Sequence, residues 1–273
     1  MRARILAVAA LALAAVLPVP GHAQVADVPY TWRNVVVGGG GFAPGIVFSP
    51  AEPGLAYLRT DMGGAYRFDH ATGQWVPLQD GQAVSSYMGV ESIAPDPVDP
   101  AIVYLAAGMG WGGNAAIFRS ADRGAHWQVT PVPFRMGGNE DGRGMGERLA
   151  VDPHHRQRLF FGSRHDGLWR SDDAGATWAR VDSFPRAGLG TPTERRTRHG
   201  GLSFVLFDPA TAGRIFVGSA DPGGEHLFRS DDGGSSWRAV PGGPPAHLLP
   251  TKAAIGGDGV VTVSWADAIG PNG

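Results

Sequence analysis

Asp61 is the residue whose type and setting best suit chemistry. It directly follows the segment 57–60, which is predicted to be a strand, and it precedes the pair Gly63-Gly64. Two glycines allow other groups to approach a carboxylate closely, as a general base that activates water requires. The local spacing fits a turn-capping aspartate equally well. Asp61 is therefore predicted to be either a general base or a cap.

A second set of polar residues lies in the segment 139–148, where acids, arginines and glycines are mixed. Glu140, Asp141 and Arg143 are predicted to bind sugar hydroxyls, because carboxylates accept and guanidinium groups donate hydrogen bonds. The alternative is an internally paired loop in which Glu147-Arg148 is structural.

Two aromatic residues and one further acid complete the candidate substrate-binding set. Tyr87 and Trp111 could stack on a sugar ring or pack in the core. Glu91 follows Tyr87 in the segment 87–91 and precedes a predicted inner strand. Its carboxylate is predicted either to point into a channel or to pair with an arginine.

Other chemistries find no support in the sequence. The 9 His are scattered without metal-ligand spacing, and we expect neither a metal nor a cofactor. No nucleophile elbow occurs, and the glycine run 38–41 precedes no helix that could bind phosphate. The net charge is −2, and about −4 once Arg2 and Arg4 are removed, which disfavours nucleic acid or a membrane surface as partner.

These residues must be positioned by a repeated β unit. An apolar run ends in a proline turn at 46–50, 93–97, 149–153 and 205–209, and a second strand follows each turn. The third strand ends in an aromatic–Arg pair, and a Trp stands eight residues after each Arg, at positions 75, 127, 178 and 237. Three units carry Ser-x-Asp-x-Gly-x-x-Trp, the Asp-box, at 120–127, 171–178 and 230–237. In this motif the carboxylate can accept turn N–H groups, and Trp can wedge between neighbouring sheets.

Four strands per unit predict an all-β β-propeller with Asp-box repeats, of which about four and a half blades are present. A fifth unit begins at residue 252 and contains two strands, so we expect the N-terminal part of a larger, closed propeller. Strands alternate in direction within a blade. Asp-boxes and Asp-Pro turns are therefore predicted on one face, and the longer connections that carry Asp61 and residues 135–147 on the other.

The first 23 residues are predicted to be a signal peptide. Arg2 and Arg4 precede the apolar run 5–19, and small residues at 21–23 offer a cleavage site. The chain contains 0 Cys, so the exported protein would be stabilised by its core and not by disulfides. We expect residues 24–273 to form the incomplete propeller domain of a secreted, extracellular or periplasmic protein.

Four stretches together resemble glycoside hydrolase family 74, which comprises xyloglucanases and related β-1,4-glucanases. They are 59–67, 87–94, 137–149 and 270–273, and the run Asn-Glu-Asp-Gly-Arg-Gly-Met-Gly-Glu-Arg at 139–148 is the most specific. The resemblance implies two seven-bladed propellers with a glucan cleft between them, and hydrolysis with inversion. It further implies that Asp61 is the general base, while the general acid comes from a C-terminal propeller outside this chain.

Two function classes follow. The first is an inverting hydrolase of the xyloglucan backbone, for which we expect this chain alone to be inactive. The second is a non-catalytic propeller that binds glycans or another partner. A sialidase is disfavoured because the Phe/Tyr-Arg-Ile-Pro opening is missing.

Overall fold

A computed structural model describes residues 36–110, 112–186, 200–221 and 224–270. These residues form antiparallel sheets and one short 3₁₀ helix, Ser85–Met88. Sheet 1 contains β1 (Gly45–Phe48), β2 (Ala56–Arg59), β3 (Ala65–Asp69) and β4 (Gln74–Pro77). Sheet 2 contains β5 (Val90–Pro95), β6 (Val103–Ala107), β7 (Ala116–Ser120) and β8 (Gln128–Pro131).

Sheets 3 and 4 repeat this four-stranded pattern, and sheet 5 has two strands among the described residues. Sheet 3 contains β9 (Leu149–Val151), β10 (Leu159–Ser163), β11 (Gly167–Ser171) and β12 (Ala179–Arg180). Sheet 4 contains β13 (Leu202–Phe207), β14 (Ile215–Ser219), β15 (Leu227–Ser230) and β16 (Arg238–Ala239). Sheet 5 pairs β17 (Leu249–Ile255) with β18 (Val261–Ala266). The predicted all-β fold of four-stranded antiparallel units is confirmed, while the number of blades in the whole protein stays a prediction.

Burial explains why the second strand of each unit reads as a continuous apolar run. Every residue of β6, β10 and β14 is buried, because both faces of these strands lie against neighbouring sheets. The fourth strands are short and mostly exposed. Aliphatic and aromatic side chains fill the space between successive sheets, and burial of this apolar surface is the main stabilising contribution.

The Asp-boxes are structural turns, as their chemistry predicts. In the first box, Oγ of Ser120 accepts the Gly124 N–H at 2.8 Å, and Oδ1 of Asp122 accepts the His126 N–H at 2.9 Å. The boxes that begin at Ser171 and Ser230 repeat both bonds. The three tryptophans pack against the three successive inter-sheet clusters: Trp127, Trp178 and Trp237. The predicted wedge position is therefore confirmed.

The connections on the opposite face are tied to one another. The Gly108 N–H donates to the Gly89 carbonyl at 2.7 Å, and the Gly138 N–H donates to the Gly108 carbonyl at 2.8 Å. Farther along, the Gly142 N–H donates to the Gly270 carbonyl at 3.0 Å. Loops from several sheets thus form one continuous surface around residues 136–147. The described residues contain no helix that is both long and apolar enough to cross a membrane.

Candidate functional site

The turn that carries Asp61 does not use its carboxylate as a cap. Thr60 performs that role: its Oγ1 accepts the Gly63 N–H at 2.8 Å and donates to the Gly64 carbonyl at 2.8 Å. The Thr60 N–H also donates to the Gly64 carbonyl. The side chain of Asp61 is left to interact with groups outside its own turn.

Two distant segments hold the Asp61 carboxylate. Its Oδ1 accepts the Phe42 N–H at 2.8 Å, and the Asp61 N–H donates back to the Phe42 carbonyl at 3.1 Å. Its Oδ2 lies 3.0 Å from Nε of Arg143. This second contact has the distance of an ion pair, but the Nε–H is not aligned as a hydrogen bond to the oxygen. Asp61 is only 5% exposed, so solvent and other molecules have little access to its carboxylate.

Glycines explain why residues 38–42 reach this position. A Cβ on Gly39 would lie 1.7 Å from the Tyr66 hydroxyl oxygen, and a Cβ on Gly63 would lie 2.0 Å from the Gly40 carbonyl oxygen. Only glycine allows the two segments to approach this closely. The sequence prediction missed Phe42 as a partner of Asp61. The two matching glycine groups, 38–41 and 63–64, were the available signal.

The segment that carries Arg143 is held mainly by backbone contacts. The Asn139 N–H donates to the Met109 carbonyl at 3.0 Å, and Nη1 of Arg59 donates to the Arg143 carbonyl at 3.0 Å. Nη1 of Arg143 itself donates to the Glu140 carbonyl at 3.3 Å. These contacts bring Arg143 to Asp61. They agree in part with the second prediction for this segment, an internally paired loop.

Glu140 and Asp141 lie in the same loop with different surroundings. Oε2 of Glu140 lies 2.7 Å from Nε2 of the buried His165. The backbone carbonyl of Asp141 accepts a hydrogen bond from Arg164, whereas the described residues provide no partner for its half-buried carboxylate. The sequence prediction missed both His165 and Arg164, which follow β10 in a turn without a recognisable motif.

Glu91 is buried between two arginines. Its Oε1 lies 3.0 Å from Nη1 of Arg148 and 2.8 Å from Nε of Arg164, and Oε2 accepts the Gly137 N–H. Burial alone would raise the pKa of Glu91, but Arg164, Arg148 and the Gly137 N–H together lower it to about 2. Burial and the neighbouring Arg164 lower the pKa of Arg148 to about 9, so both groups are charged at neutral pH. Of the two predictions for Glu91, the structure therefore agrees with pairing to an arginine.

The two aromatic candidates differ in what the structure describes. Tyr87 lies in the 3₁₀ helix and is buried, with its ring packed edge-on against Phe118 at a centroid distance of 5.4 Å. Of the two predictions for Tyr87, the structure therefore agrees with packing in the core. Trp111 lies outside the described residues.

The surface beside Asp61 combines an acid with exposed apolar groups. Phe42 is 40% exposed and Met62 is 54% exposed, and both adjoin the Asp61 turn. The Arg143 guanidinium carbon lies 5.9 Å from the centre of the Phe42 ring. The described residues contain no cluster of His, Cys, Asp or Glu that could hold a metal ion. A fixed carboxylate beside apolar surface can orient and deprotonate a water next to a sugar ring.

Comparison with known proteins identifies the family. No family model matches the chain. The xyloglucanase Xgh74A of Acetivibrio thermocellus is 46% identical over a 288-residue alignment that covers 99% of this chain. The crystal structure of the GH74 xyloglucanase from Xanthomonas campestris is 45% identical over 89% of this chain, with a TM-score of 0.78. The chain belongs to glycoside hydrolase family 74.

Further family 74 relatives agree with this assignment. The xyloglucanase of Hypocrea jecorina is 41% identical over 97% of this chain, and the GH74 enzyme of Niastella koreensis is 37% identical with a TM-score of 0.76. The chain spans about a third of the length of these relatives: 34% of the Acetivibrio thermocellus protein and 36% of the Xanthomonas campestris one.

Proposed function

We propose that the full-length protein containing this chain hydrolyses the β-1,4-glucan backbone of xyloglucan with inversion, and that Asp61 is the general base. The relatives named as xyloglucanases support the substrate. The observation that carries the role of Asp61 is its surroundings. Thr60 caps the turn, and the carboxylate is fixed by Phe42 and Arg143 beside exposed apolar side chains.

In the proposed reaction Asp61 removes a proton from a water molecule while the water oxygen attacks the anomeric carbon. The glycosidic bond breaks on the opposite side of the sugar ring, and a second carboxylic acid protonates the leaving oxygen. Inverting hydrolases hold the two carboxyl groups about 6.5–9.5 Å apart to accommodate the water. We assign the second carboxyl to a C-terminal propeller outside this chain.

The structure refines which residues we propose to contact the glucan. Asp141 offers a carboxylate without a described partner, and Phe42 and Met62 offer apolar surface on which a sugar ring can stack. Trp111 stays a predicted stacking residue. We assign Glu91 and Tyr87 as supports, because the first pairs with two arginines and the second packs in the core.

The test is the Asp61→Asn variant of the full-length protein. The amide cannot accept the water proton, so we expect kcat on xyloglucan to fall by about 1,000-fold while the circular-dichroism spectrum stays that of the wild-type fold. Azide should restore turnover in Asp61→Ala and give a glycosyl azide of inverted configuration, because this anion needs no base. Proton NMR of the first product of the wild-type enzyme should show the α-anomer.

The matched control is Asp258→Asn, which changes an exposed turn aspartate that caps the Val260 N–H between β17 and β18. This variant should keep wild-type turnover. Normal turnover by Asp61→Asn, or a β-anomeric first product, would refute the proposal.

We also propose that the protein is exported through the predicted signal peptide at residues 1–23. Xyloglucan is a polymer too large to enter a cell, so its hydrolysis requires an enzyme outside the cytoplasm. Mass spectrometry of the mature N-terminus tests this proposal: cleavage before Gln24 is expected, and an intact Met1 in cell-associated material contradicts it.

A further inference from the structure

Both oxygens of the Asp61 carboxylate are held by groups from separate parts of the chain. The Phe42 N–H reaches Oδ1 from the segment before β1, and Arg143 reaches Oδ2 from the connection between β8 and β9. Asp61 itself lies between β2 and β3. The orientation of the carboxylate therefore depends on contacts that neither the turn nor the sheet provides.

Arg143 is itself immobilised in this position. Its backbone carbonyl accepts a hydrogen bond from Arg59, and its Nη1 donates to the Glu140 carbonyl. Its guanidinium lies next to the Phe42 ring, so it contacts the same residue whose N–H binds Oδ1. Its side chain is 17% exposed, and its Nε is buried against Asp61. A side chain with so many contacts inside the protein has little freedom to follow a substrate.

We propose that Arg143 is a positioning residue for Asp61, which acts by orienting the carboxylate towards water and not by binding the glucan. This assignment rests on the proposed function, and it replaces the substrate contact that the sequence predicts for Arg143. Together with Phe42, Arg143 fixes the carboxylate in one rotamer. A misplacement of about 1 Å at a reacting group can lower the rate by about 100-fold.

The two roles differ in their kinetic effects. Loss of a group that binds substrate and transition state equally raises KM at constant kcat, whereas loss of correct orientation at the reacting atoms lowers kcat. For Arg143→Ala in the full-length enzyme we expect kcat on xyloglucan to fall by about 100-fold, with KM within about 3-fold of wild type. Guanidinium at a non-denaturing concentration should restore part of kcat. Arg143→Lys should retain more activity than Arg143→Ala, because a charge remains near Oδ2.

Arg123→Ala is the matched control, because Arg123 pairs with Glu52 on the Asp-box face, at Nη2–Oε2 2.7 Å. Both kinetic constants should stay at their wild-type values. If Arg143→Ala raises KM about 10-fold with kcat unchanged, the substrate-binding role is correct and ours is wrong. Unchanged kinetics also overturns the proposal. If Arg143→Ala does not fold, Arg143→Lys is measured instead. A lower kcat then supports the positioning role, and a higher KM at unchanged kcat or unchanged kinetics overturns it.

A measurement without substrate separates this proposal from the proposed function. The Phe42 amide donates to the Asp61 carboxylate, so its hydrogen exchange in the full-length protein reports on carboxylate orientation. Arg143→Ala should accelerate exchange at Phe42 by about 10-fold or more, while Arg123→Ala leaves it unchanged. Exchange at the wild-type rate overturns the positioning role. The two measurements can also disagree. If Arg143→Ala accelerates exchange but Asp61→Asn retains full turnover, the proposed function is wrong, while the contact between Arg143 and Asp61 is established.

Discussion

Arg59 and Arg148 are the two largest side chains among the described residues that are fully buried. Nε of Arg59 lies 2.8 Å from Oε1 of Glu147, and Nη1 of Arg148 lies 3.0 Å from Oε1 of Glu91. A buried charge without a partner strongly destabilises the folded protein. Each buried arginine therefore needs its carboxylate partner. Oε2 of Glu147 further accepts the Ser92 hydroxyl and the Ile93 N–H. Glu147 and Arg148 are therefore structural residues, in agreement with the internally paired loop that was one of the two predictions for residues 139–148.

Replacement of Glu91 by Gln should remove the negative charge that pairs with the buried Arg148 and Arg164. We expect the free energy of unfolding to fall by about 3 kcal/mol at neutral pH. The low pKa of Glu91 sets the pH dependence: its stabilising contribution is complete above the unfolded-state pKa, near 4.5, and is lost as the pH falls towards about 2. The difference between wild type and Glu91→Gln should thus narrow by about 2 kcal/mol between about pH 5 and pH 3. Urea unfolding at several pH values measures it.

The control is Glu52→Gln, because the ion pair of Glu52 with Arg123 is well exposed to solvent. Its effect should stay under about 1 kcal/mol and vary little with pH. An equal loss of stability in both variants, or a Glu91→Gln difference that grows on acidification, would contradict the structural role of Glu91.

At the scale of single elements, the Asp-box turns are the best-predicted part of the fold. The Ser and Asp side-chain hydrogen bonds of each box join residues no more than four positions apart, so the motif itself specifies these contacts. The four strands of each unit were predicted from the spacing of the repeats. The 3₁₀ helix at 85–88 was not predicted, because a single turn has no periodicity to detect.

One turn position predicts a backbone effect on stability. The residue before the box glycine has a positive φ in all three boxes: 60° at Arg123, 57° at Ala174 and 70° at Gly233. Gly233→Ala should lower the free energy of unfolding by about 1 kcal/mol, because side chains disfavour this conformation. The fold should survive, since Ala174 occupies the equivalent position. Thermal and urea unfolding measure the change.

Gly257→Ala is the matched control for that substitution, because nothing lies within 4 Å of its Cβ position and its φ is not in the left-handed region. Its effect should be neutral or slightly stabilising, as alanine reduces the entropy of the unfolded chain. A larger loss at Gly257 than at Gly233 would show that the turn conformation is not the cause.

At the scale of the whole molecule, one face of the sheets carries repeated turns and the other carries the candidate site. The sequence predicted this division, because strand alternation assigns each connection to a face. It did not predict which residues meet there. Asp61, Phe42 and Arg143 come from connections that differ in length and share no motif, so only the assembled sheets bring them together. The glycine groups 38–41 and 63–64 indicate that two segments approach closely, but no local pattern indicates that Arg143 joins them.

The proposed location of the general acid in a C-terminal propeller yields the last prediction. Inversion needs a second carboxyl about 6.5–9.5 Å from Asp61, and the nearby Glu140 is engaged by His165. We therefore expect the 273-residue chain alone to show no detectable hydrolysis of xyloglucan, while the full-length protein is active. Reducing-sugar release by equal molar amounts of the two proteins measures this. Turnover by the chain alone that is lost in Asp141→Asn, and kept in the exposed-surface control Asp182→Asn, would place the acid within this chain.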